Sequence, residues 1–312
     1  MSELELIAHI RARVARDPRV VVGIGDDAAV LRPTPGMDLV ATTDNLVAGR
    51  HFDEACSANE LGHLALAVNL SDLAAMGAVP RWALLTLTLP AADRNWLDAF
   101  LDGFLELAGD CGCALAGGNL ARGPLNISVT ALGEVAPGRA ALRSGGRADD
   151  RIVVTGTLGD AAAALELGKA APEALRRRLV RPEPRVEAGK RLAGHAHAMI
   201  DVSDGLVSDL IKILPAGSGA VIPCADLPAS AELASAVPDA SRRWHLQATG
   251  GGDYELLALI PPEVDLDALA GECGTELSEI GRLTADGGLR LLDPGGQPFE
   301  PGGSGWDHFR EP

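Results

Sequence analysis

Helical and strand-like patterns alternate along this 312-residue chain, and this alternation restricts its fold class more than any other feature. Ser2-Glu3-Leu4-Glu5 is a capping box that predicts the start of a helix, and Pro18 predicts its end. Apolar strand patterns, for example at 82–89 and 152–155, recur between helical patterns in both halves. We therefore expect an α/β or α+β fold.

A segment rich in glycine, alanine and arginine, residues 137–150, is the best candidate for a domain boundary. Since 312 residues exceed a typical single core, we expect two domains, residues 1–138 and 139–312. Within the first domain, one strand is predicted over 39–43, ending at Asp44. A turn at Gly117-Gly118 is predicted to separate two further strands.

The charge balance excludes several classes of partner. Acids outnumber bases by 43 to 27, which gives a formal net charge of −16, and this repels nucleic acid and anionic lipid. The sequence has no apolar run near the roughly 20 residues of a membrane-spanning helix, and its first residues carry acids where a secretory signal has bases. We expect a cytoplasmic protein that contacts neither membrane nor nucleic acid.

Aspartates follow predicted strands or flank glycine turns at several separate places. They are Asp26, Asp27, Asp44, Asp72, Asp201, Asp204, Asp209 and Asp253. Carboxylates at strand ends converge on one edge of a sheet, where several share a magnesium ion in enzymes of phosphoryl transfer. The sequence contains no Gly-x-x-x-x-Gly-Lys-Ser/Thr motif, which excludes nucleotide binding by a P-loop. A single Asp beside Gly is more often an ordinary turn residue, so spacing alone does not decide.

Asp72 is the most informative of these acids. It interrupts an apolar helical pattern at 66–76 and is flanked by Leu70 and Leu73. Burying an unpaired carboxylate is costly, so Asp72 is expected to face a metal ion, a partner group or water. The alternative is an acid on the exposed side of its helix.

Six motifs then occur in an order that identifies a family resemblance. They are GIGDDAAVL, TTDNLVAGRHF, NLSDLAAMGAVPRWALLTLTLP, LRSGG, MIDVSDGLVSDL and GGGDYELL, followed by a tail with SGWDHF. Together they resemble the thiamine-monophosphate kinases of the aminoimidazole-ribonucleotide-synthetase-like superfamily. The resemblance spans nearly the whole chain, from Gly23 to Phe309.

The resemblance implies two α/β domains per chain: an N-terminal domain that binds ATP and magnesium and pairs across a homodimer, and a C-terminal domain that completes the active site. It also implies transfer of the ATP γ-phosphate to thiamine monophosphate with several Mg²⁺ ions. The acceptor phosphate is already ionised, so no catalytic base is expected beyond metal and phosphate positioning.

The resemblance also implies a role for individual residues. Its metal ligands match Asp27, Thr42, Thr43, Asp44, Asp72, Asp201 and Asp204. Its nucleotide contacts match Gly118, Asn119, Arg143 and Ser203. Its acceptor contacts match His51, Gly252 and Trp306, although His51 and Trp306 also fit a surface histidine and a packed tail residue.

Two positions depart from the family pattern. Asn119 stands where the family has an aspartate, and Gly252 stands where it has a substrate-contacting glutamate, unless Asp253 or Glu255 replaces it. These departures keep two alternatives open. One is a non-catalytic homologue that binds a nucleotide and a phosphorylated metabolite, and the other is an enzyme of the superfamily with a different acceptor.

Overall fold

The computed structural model describes residues 2–53, 55–303 and 305. The chain forms two compact units that divide between Gly138 and Arg139, and Ala74–Gly77 belong with the second unit. No helix in the described residues is long and apolar enough to cross a membrane.

The described residues of the first unit form a four-stranded sheet, a two-stranded sheet and three helices. Its elements are α1 (Glu3–Arg13), β1 (Val20–Val22), β2 (Val30–Leu31), β3 (Asp38–Val47), α2 (Ala58–Ala75), β4 (Val79–Leu89), α3 (Arg94–Asp110), β5 (Ala114–Arg122) and β6 (Asn126–Val135). The larger sheet has the order β3-β6-β4-β5, in which only β4 and β5 are parallel, and β1 pairs with β2.

Local capping explains where the first helices begin. The Ser2 hydroxyl accepts the Glu5 N–H while the Glu5 carboxylate accepts the Ser2 N–H, so the predicted capping box forms at α1. Ser57 and Glu60 make the same reciprocal bonds before α2. The element order of this half confirms the predicted mixture of helices and strands.

Two predicted strand ends in the first unit are wrong. The strand predicted to end at Asp44 continues to Val47, because β3 pairs with β6 over its full length. The turn predicted at Gly117-Gly118 does not form, since β5 runs through both glycines beside β4. Gly118 keeps φ at +145°, and a β-carbon there would lie 1.7 Å from the carbonyl oxygen of Leu85. Gly118 therefore permits close contact between β5 and β4, and neither glycine reverses the chain.

The second unit is built on a six-stranded sheet with the order β12-β9-β11-β7-β10-β8. Its elements are β7 (Arg151–Thr155), α4 (Asp160–Leu167), α5 (Glu173–Val180), α6 (Val186–Leu192), β8 (Ala198–Val202), α7 (Leu206–Ile213), β9 (Gly219–Pro223), α8 (Ala231–Ala236), α9 (Ala240–Thr249), β10 (Glu255–Ile260), α10 (Leu266–Cys273), β11 (Leu277–Thr284) and β12 (Gly288–Leu292). Every residue of β8 and β10 is buried, so the loops that follow β8 and precede β10 start from fixed positions.

Candidate functional site

A glycine-rich loop and strand β5 line a large cavity in the first unit. The cavity has a volume of about 710 Å³, and its wall includes the apolar residues Leu4, Ile7 and Ile10 of α1. Three of the predicted site residues line it: Asp27, Gly118 and Asn119. An apolar wall with a few polar groups at one side is typical of a small-molecule site.

The polar side chains at this cavity are exposed. Asp27 is exposed, and its backbone N–H donates to the Asp26 carboxylate at 2.9 Å. Asn119 is exposed and lies opposite Thr86 in the β4–β5 pair. The cavity thus combines a carboxylate and an amide with a backbone at Gly118 that admits no side chain.

A second group of candidates lies on β3 and α2. Thr42 and Asp44 share one face of β3, because side chains alternate along a strand. The Thr42 hydroxyl donates to the Asp72 carboxylate at 2.5 Å, and the Asp44 N–H donates to the buried Asn69 side chain at 3.1 Å. Since Asn69 and Asp72 are one turn apart on α2, both meet the same face of β3. The structure therefore joins Thr42 to Asp72 and places Asp44 on the same face of β3 as Thr42.

Thr43 occupies the opposite face of β3. Its hydroxyl donates to the Val129 carbonyl at 3.1 Å and accepts the Thr130 hydroxyl at 3.1 Å, both on β6. Asp72 is only half-buried, although nearly all residues around it on α2 are buried. The hydroxyl that it accepts from Thr42 fits the expectation that this acid faces a polar group.

In the second unit, three further candidates lie at the end of β8. Asp201 is part of β8 and is buried, while Ser203 and Asp204 form the loop before α7. The backbone N–H groups of Ser203 and Asp204 both donate to the Asp209 carboxylate at 2.9 Å. Asp209 is 1% exposed, so the loop is fastened to a buried acid in the first turn of α7.

Lys212, a residue without a role predicted from the sequence, connects the two acids of this segment. Its ammonium group donates to Asp204 at 2.6 Å and to Asp209 at 2.7 Å. Burial raises the pKa of Asp209 above its usual value, and the bond from Lys212 counteracts that rise. The three-residue spacing of Asp209 and Lys212 on a helix was the available signal.

The loop before β10 holds Gly252 in a backbone conformation that favours glycine. Gly252 has φ of +90°, and its N–H donates to the Ser203 carbonyl at 2.9 Å. Tyr254 also has a positive φ, of 51°, and its N–H donates to the Val202 carbonyl at 2.8 Å. The loop with Gly252 is therefore bonded directly to the segment that carries Ser203.

Neither neighbouring acid is free to take the place of the missing glutamate at Gly252. Asp253 is buried, where it accepts the Gly159 N–H at 2.8 Å through one oxygen, and burial raises its pKa to about 8. Glu255 is fully buried and accepts bonds from Thr155, Arg178 and Arg185. Both carboxylates thus serve the interior of the second unit.

The remaining candidates are more weakly placed. Arg143 is exposed, and the half-buried His51 accepts the Val47 N–H at its Nδ1 atom at 3.0 Å. Trp306 lies outside the described residues. A second cavity, of about 370 Å³ and lined partly by Arg178 and Arg185, contains none of the described site candidates.

Comparisons with known proteins assign the chain to a family. Residues 25–135 match the model "AIR synthase related protein, N-terminal domain" and residues 147–293 match the corresponding C-terminal domain. The thiamine-monophosphate kinase of Escherichia coli K12 is 43% identical, with 100% of this chain and 99% of that protein covered.

Solved structures show the same likeness in three dimensions. The crystal structure of thiamine-monophosphate kinase from Stenotrophomonas maltophilia K279a matches with a TM-score of 0.87 and 42% identity, over 93% of this chain and 96% of the other. A structure described as AaThiL complexed with AMPPCP and TMP matches with a TM-score of 0.77 and 31% identity, over 98% and 97%. This chain therefore belongs to the thiamine-monophosphate kinase family of AIR synthase-related proteins.

Proposed function

We propose that this protein transfers the γ-phosphate of ATP to thiamine monophosphate and forms thiamine diphosphate and ADP. Full-length identity of 43% to thiamine-monophosphate kinase is the observation that carries the proposal. The AaThiL structure, whose description names both AMPPCP and TMP, supports the same pair of substrates. A cytoplasmic location, where ATP is available, is part of this proposal.

The reaction needs positioning and charge neutralisation more than it needs a base. An oxygen of the acceptor phosphate forms a bond to the γ-phosphorus, and the bond from that phosphorus to the bridging oxygen of ADP breaks. The acceptor oxygen is already ionised at neutral pH, so no proton has to be removed. The proposed site residues accordingly bind and orient two anions in a protein whose net charge is −16.

The donor groups fit magnesium. The proposed ligands are Asp27, Thr42, Thr43, Asp44, Asp72, Asp201 and Asp204, all with the hard oxygen atoms that magnesium prefers. Asp204 already carries a cationic partner, the ammonium of Lys212, so its carboxylate lies where a positive charge is stabilised. When bound, magnesium supplies neutralisation of the phosphate charges.

The described residues contain no group of three or more His, Cys, Asp or Glu side chains arranged to hold an ion by themselves. Magnesium commonly binds only one or two carboxylates and completes its coordination shell with water and substrate phosphates. The proposed aspartates are therefore able to hold an ion in pairs or singly once the substrates are bound. Thr43 is the least supported ligand, because its hydroxyl already bonds to β6.

For the substrates, we propose ATP contacts at Gly118, Asn119, Arg143 and Ser203. The cavity lined by Gly118 and Asn119 supports the first two. The proposed acceptor contacts are His51, Gly252 and Trp306. Apart from His51, the candidates in the predicted first domain, residues 1–138, would bind ATP and magnesium, and those in residues 139–312 would serve the same reaction.

We also propose a homodimer formed through the first unit. Strand β3 is an edge of its sheet, and Leu39 on it is 52% exposed. The unpaired N–H and C=O groups of an edge strand are able to pair with a strand of another chain. Light scattering should give twice the 32.2 kDa of one chain, and a monomer at micromolar concentration would contradict the proposal.

The direct test of function is a purified-protein assay with ATP, Mg²⁺ and thiamine monophosphate, in which chromatography measures both products. We expect equal amounts of ADP and thiamine diphosphate. Gly252 motivates the alternative of a changed acceptor, since it offers no carboxylate at that position. ATP consumption with other phosphate monoesters but not with thiamine monophosphate would favour that alternative, and nucleotide binding without turnover would favour a non-catalytic homologue.

A further inference from the structure

Lys212, near the end of α7, forms a linked ion cluster with Asp204, which precedes the helix, and Asp209, which is in its first turn. The Lys212 ammonium contacts Asp204 at 2.6 Å and Asp209 at 2.7 Å. The two acids differ in environment, since the Asp209 side chain is 1% exposed and the Asp204 side chain is 29% exposed. One ammonium is therefore shared between a buried acid and an accessible one.

Asp209 has other partners that hold it in place. Its Oδ2 atom accepts the N–H groups of Ser203 and Asp204, while Lys212 contacts its Oδ1 atom. The backbone of the loop is thus fixed by Asp209 independently of the contact between Lys212 and Asp204. Moving the ammonium away from Asp204 leaves those two backbone bonds intact.

Asp204 has no comparable set of bonds from the protein backbone among its described hydrogen bonds, and its carboxylate accepts the Lys212 ammonium. A carboxylate oxygen that accepts an ammonium proton is less available to a metal ion, because both cations need the same lone pairs and the same charge. Lys212 is 36% exposed, so its flexible side chain is able to turn away from Asp204 while its contact with Asp209 remains.

We propose that Lys212 is an internal counter-ion of Asp204, which it neutralises in the metal-free protein and which it must release when a divalent ion binds there. Asp209 is the fixed anchor that keeps Lys212 close after this release and maintains the Ser203–Asp204 backbone. Both are positioning residues. The inference depends on the proposed role of Asp204 as a metal ligand.

The test is a Mn²⁺ titration of the full-length protein without substrates. Calorimetry and the electron paramagnetic resonance signal of free Mn²⁺ both measure the binding. Lys212→Gln removes the competing charge and should tighten the affected site about two- to five-fold, as expected for loss of a partly exposed ion pair. Lys212→Arg retains the charge and should keep affinity within about two-fold of the unmodified protein.

Lys190→Gln is the matched control, because Lys190 also pairs with an acid three residues away on a helix of the second unit, Glu187, at 2.5 Å. It should leave Mn²⁺ affinity unchanged. The Mg²⁺ concentration that gives half of the maximal thermal stabilisation provides a second readout, and it should fall for Lys212→Gln only. This readout requires no catalytic activity.

Equal or weaker Mn²⁺ binding by a folded Lys212→Gln protein would overturn the inference. The Asp204→Asn variant distinguishes a wrong counter-ion role of Lys212 from a wrong ligand role of Asp204. Loss of one Mn²⁺ site in that variant, without any tightening by Lys212→Gln, refutes the counter-ion alone. An unchanged number of sites in Asp204→Asn refutes both. Absence of thiamine diphosphate formation, with Mn²⁺ tightening observed, contradicts the proposed function and leaves the inference supported.

Discussion

The acidic candidates of the two units are held in different ways. In the first unit, Asp44 and Asp72 belong to a ten-residue strand and an 18-residue helix, whose regular hydrogen bonds fix the backbone. In the second unit, Ser203 and Asp204 lie in a short loop that depends on one buried acid, Asp209. The comparison indicates that a site on regular elements needs few supporting residues, whereas a site on a loop needs a dedicated anchor.

The first prediction removes a charge from the regular part of the site. Asp72→Asn should lower kcat/KM for thiamine diphosphate formation by about 100-fold or more, because an essential charge near the phosphates is lost while α2 remains folded. Asp110→Asn, an exposed acid at the end of α3, is the control and should retain activity. A loss of less than about three-fold would remove Asp72 from the site.

The second prediction removes the anchor of the loop. Asp209→Ala should lower kcat/KM about 10- to 100-fold, as supporting residues of metal sites commonly do, with a rise in the KM for ATP. Asp267→Ala serves as control, since Asp267 is an exposed acid in the first turn of α10. If Asp209→Ala behaved like this control, the dependence of the loop on a buried acid would be refuted.

The third prediction concerns the loop that precedes β10, where burial raises the pKa of Asp253 from 3.8 to about 8. Between these values the unfolded chain is ionised while the folded protein keeps the proton, so stability falls as pH rises towards 8. Between pH 6.0 and 7.5, the free energy of unfolding of the unmodified protein should fall by about 2 kcal/mol relative to that of Asp253→Asn. Urea unfolding of both proteins at each pH measures this difference, and parallel pH profiles would contradict it.

The smallest effect is expected from the two threonines on opposite faces of β3. Thr42→Val removes the hydroxyl that donates to Asp72 and should reduce activity about ten-fold, near the lower value of one hydrogen bond to a charged group. Thr43→Val removes a hydroxyl bonded to β6 and should change activity by less than about three-fold. A larger loss of activity for Thr43→Val than for Thr42→Val in steady-state assays would show that the ions bind on the Thr43 face of β3.

The sequence predicts the elements of this protein better than it predicts their contacts. Capping at Ser2 and Ser57 is a local effect, so both helix starts could be predicted. The contact of Thr42 with Asp72 joins residues 30 positions apart and depends on how α2 packs on β3. Burial of Asp253 likewise follows from tertiary packing, and the sequence left it open as a substrate contact.

The prediction of a turn at Gly117-Gly118, within β5, is wrong for a different reason. Two consecutive glycines usually indicate a turn, yet a neighbouring strand paired with Gly117 and Gly118 overrides that local preference. For Lys212, the three-residue spacing from Asp209 indicates an ion pair on the helix, but the contact with Asp204 outside the helix depends on the tertiary structure.

The most direct measurement for the whole account is anomalous diffraction from crystals grown with Mn²⁺, a nonhydrolysable ATP analogue and thiamine monophosphate. The account predicts manganese peaks about 2.0–2.3 Å from carboxylate oxygens of Asp72 and Asp204, with analogue phosphates completing the shells. Manganese bound only elsewhere, with both carboxylates distant from any peak, would contradict the claim that these aspartates hold the ions of phosphoryl transfer.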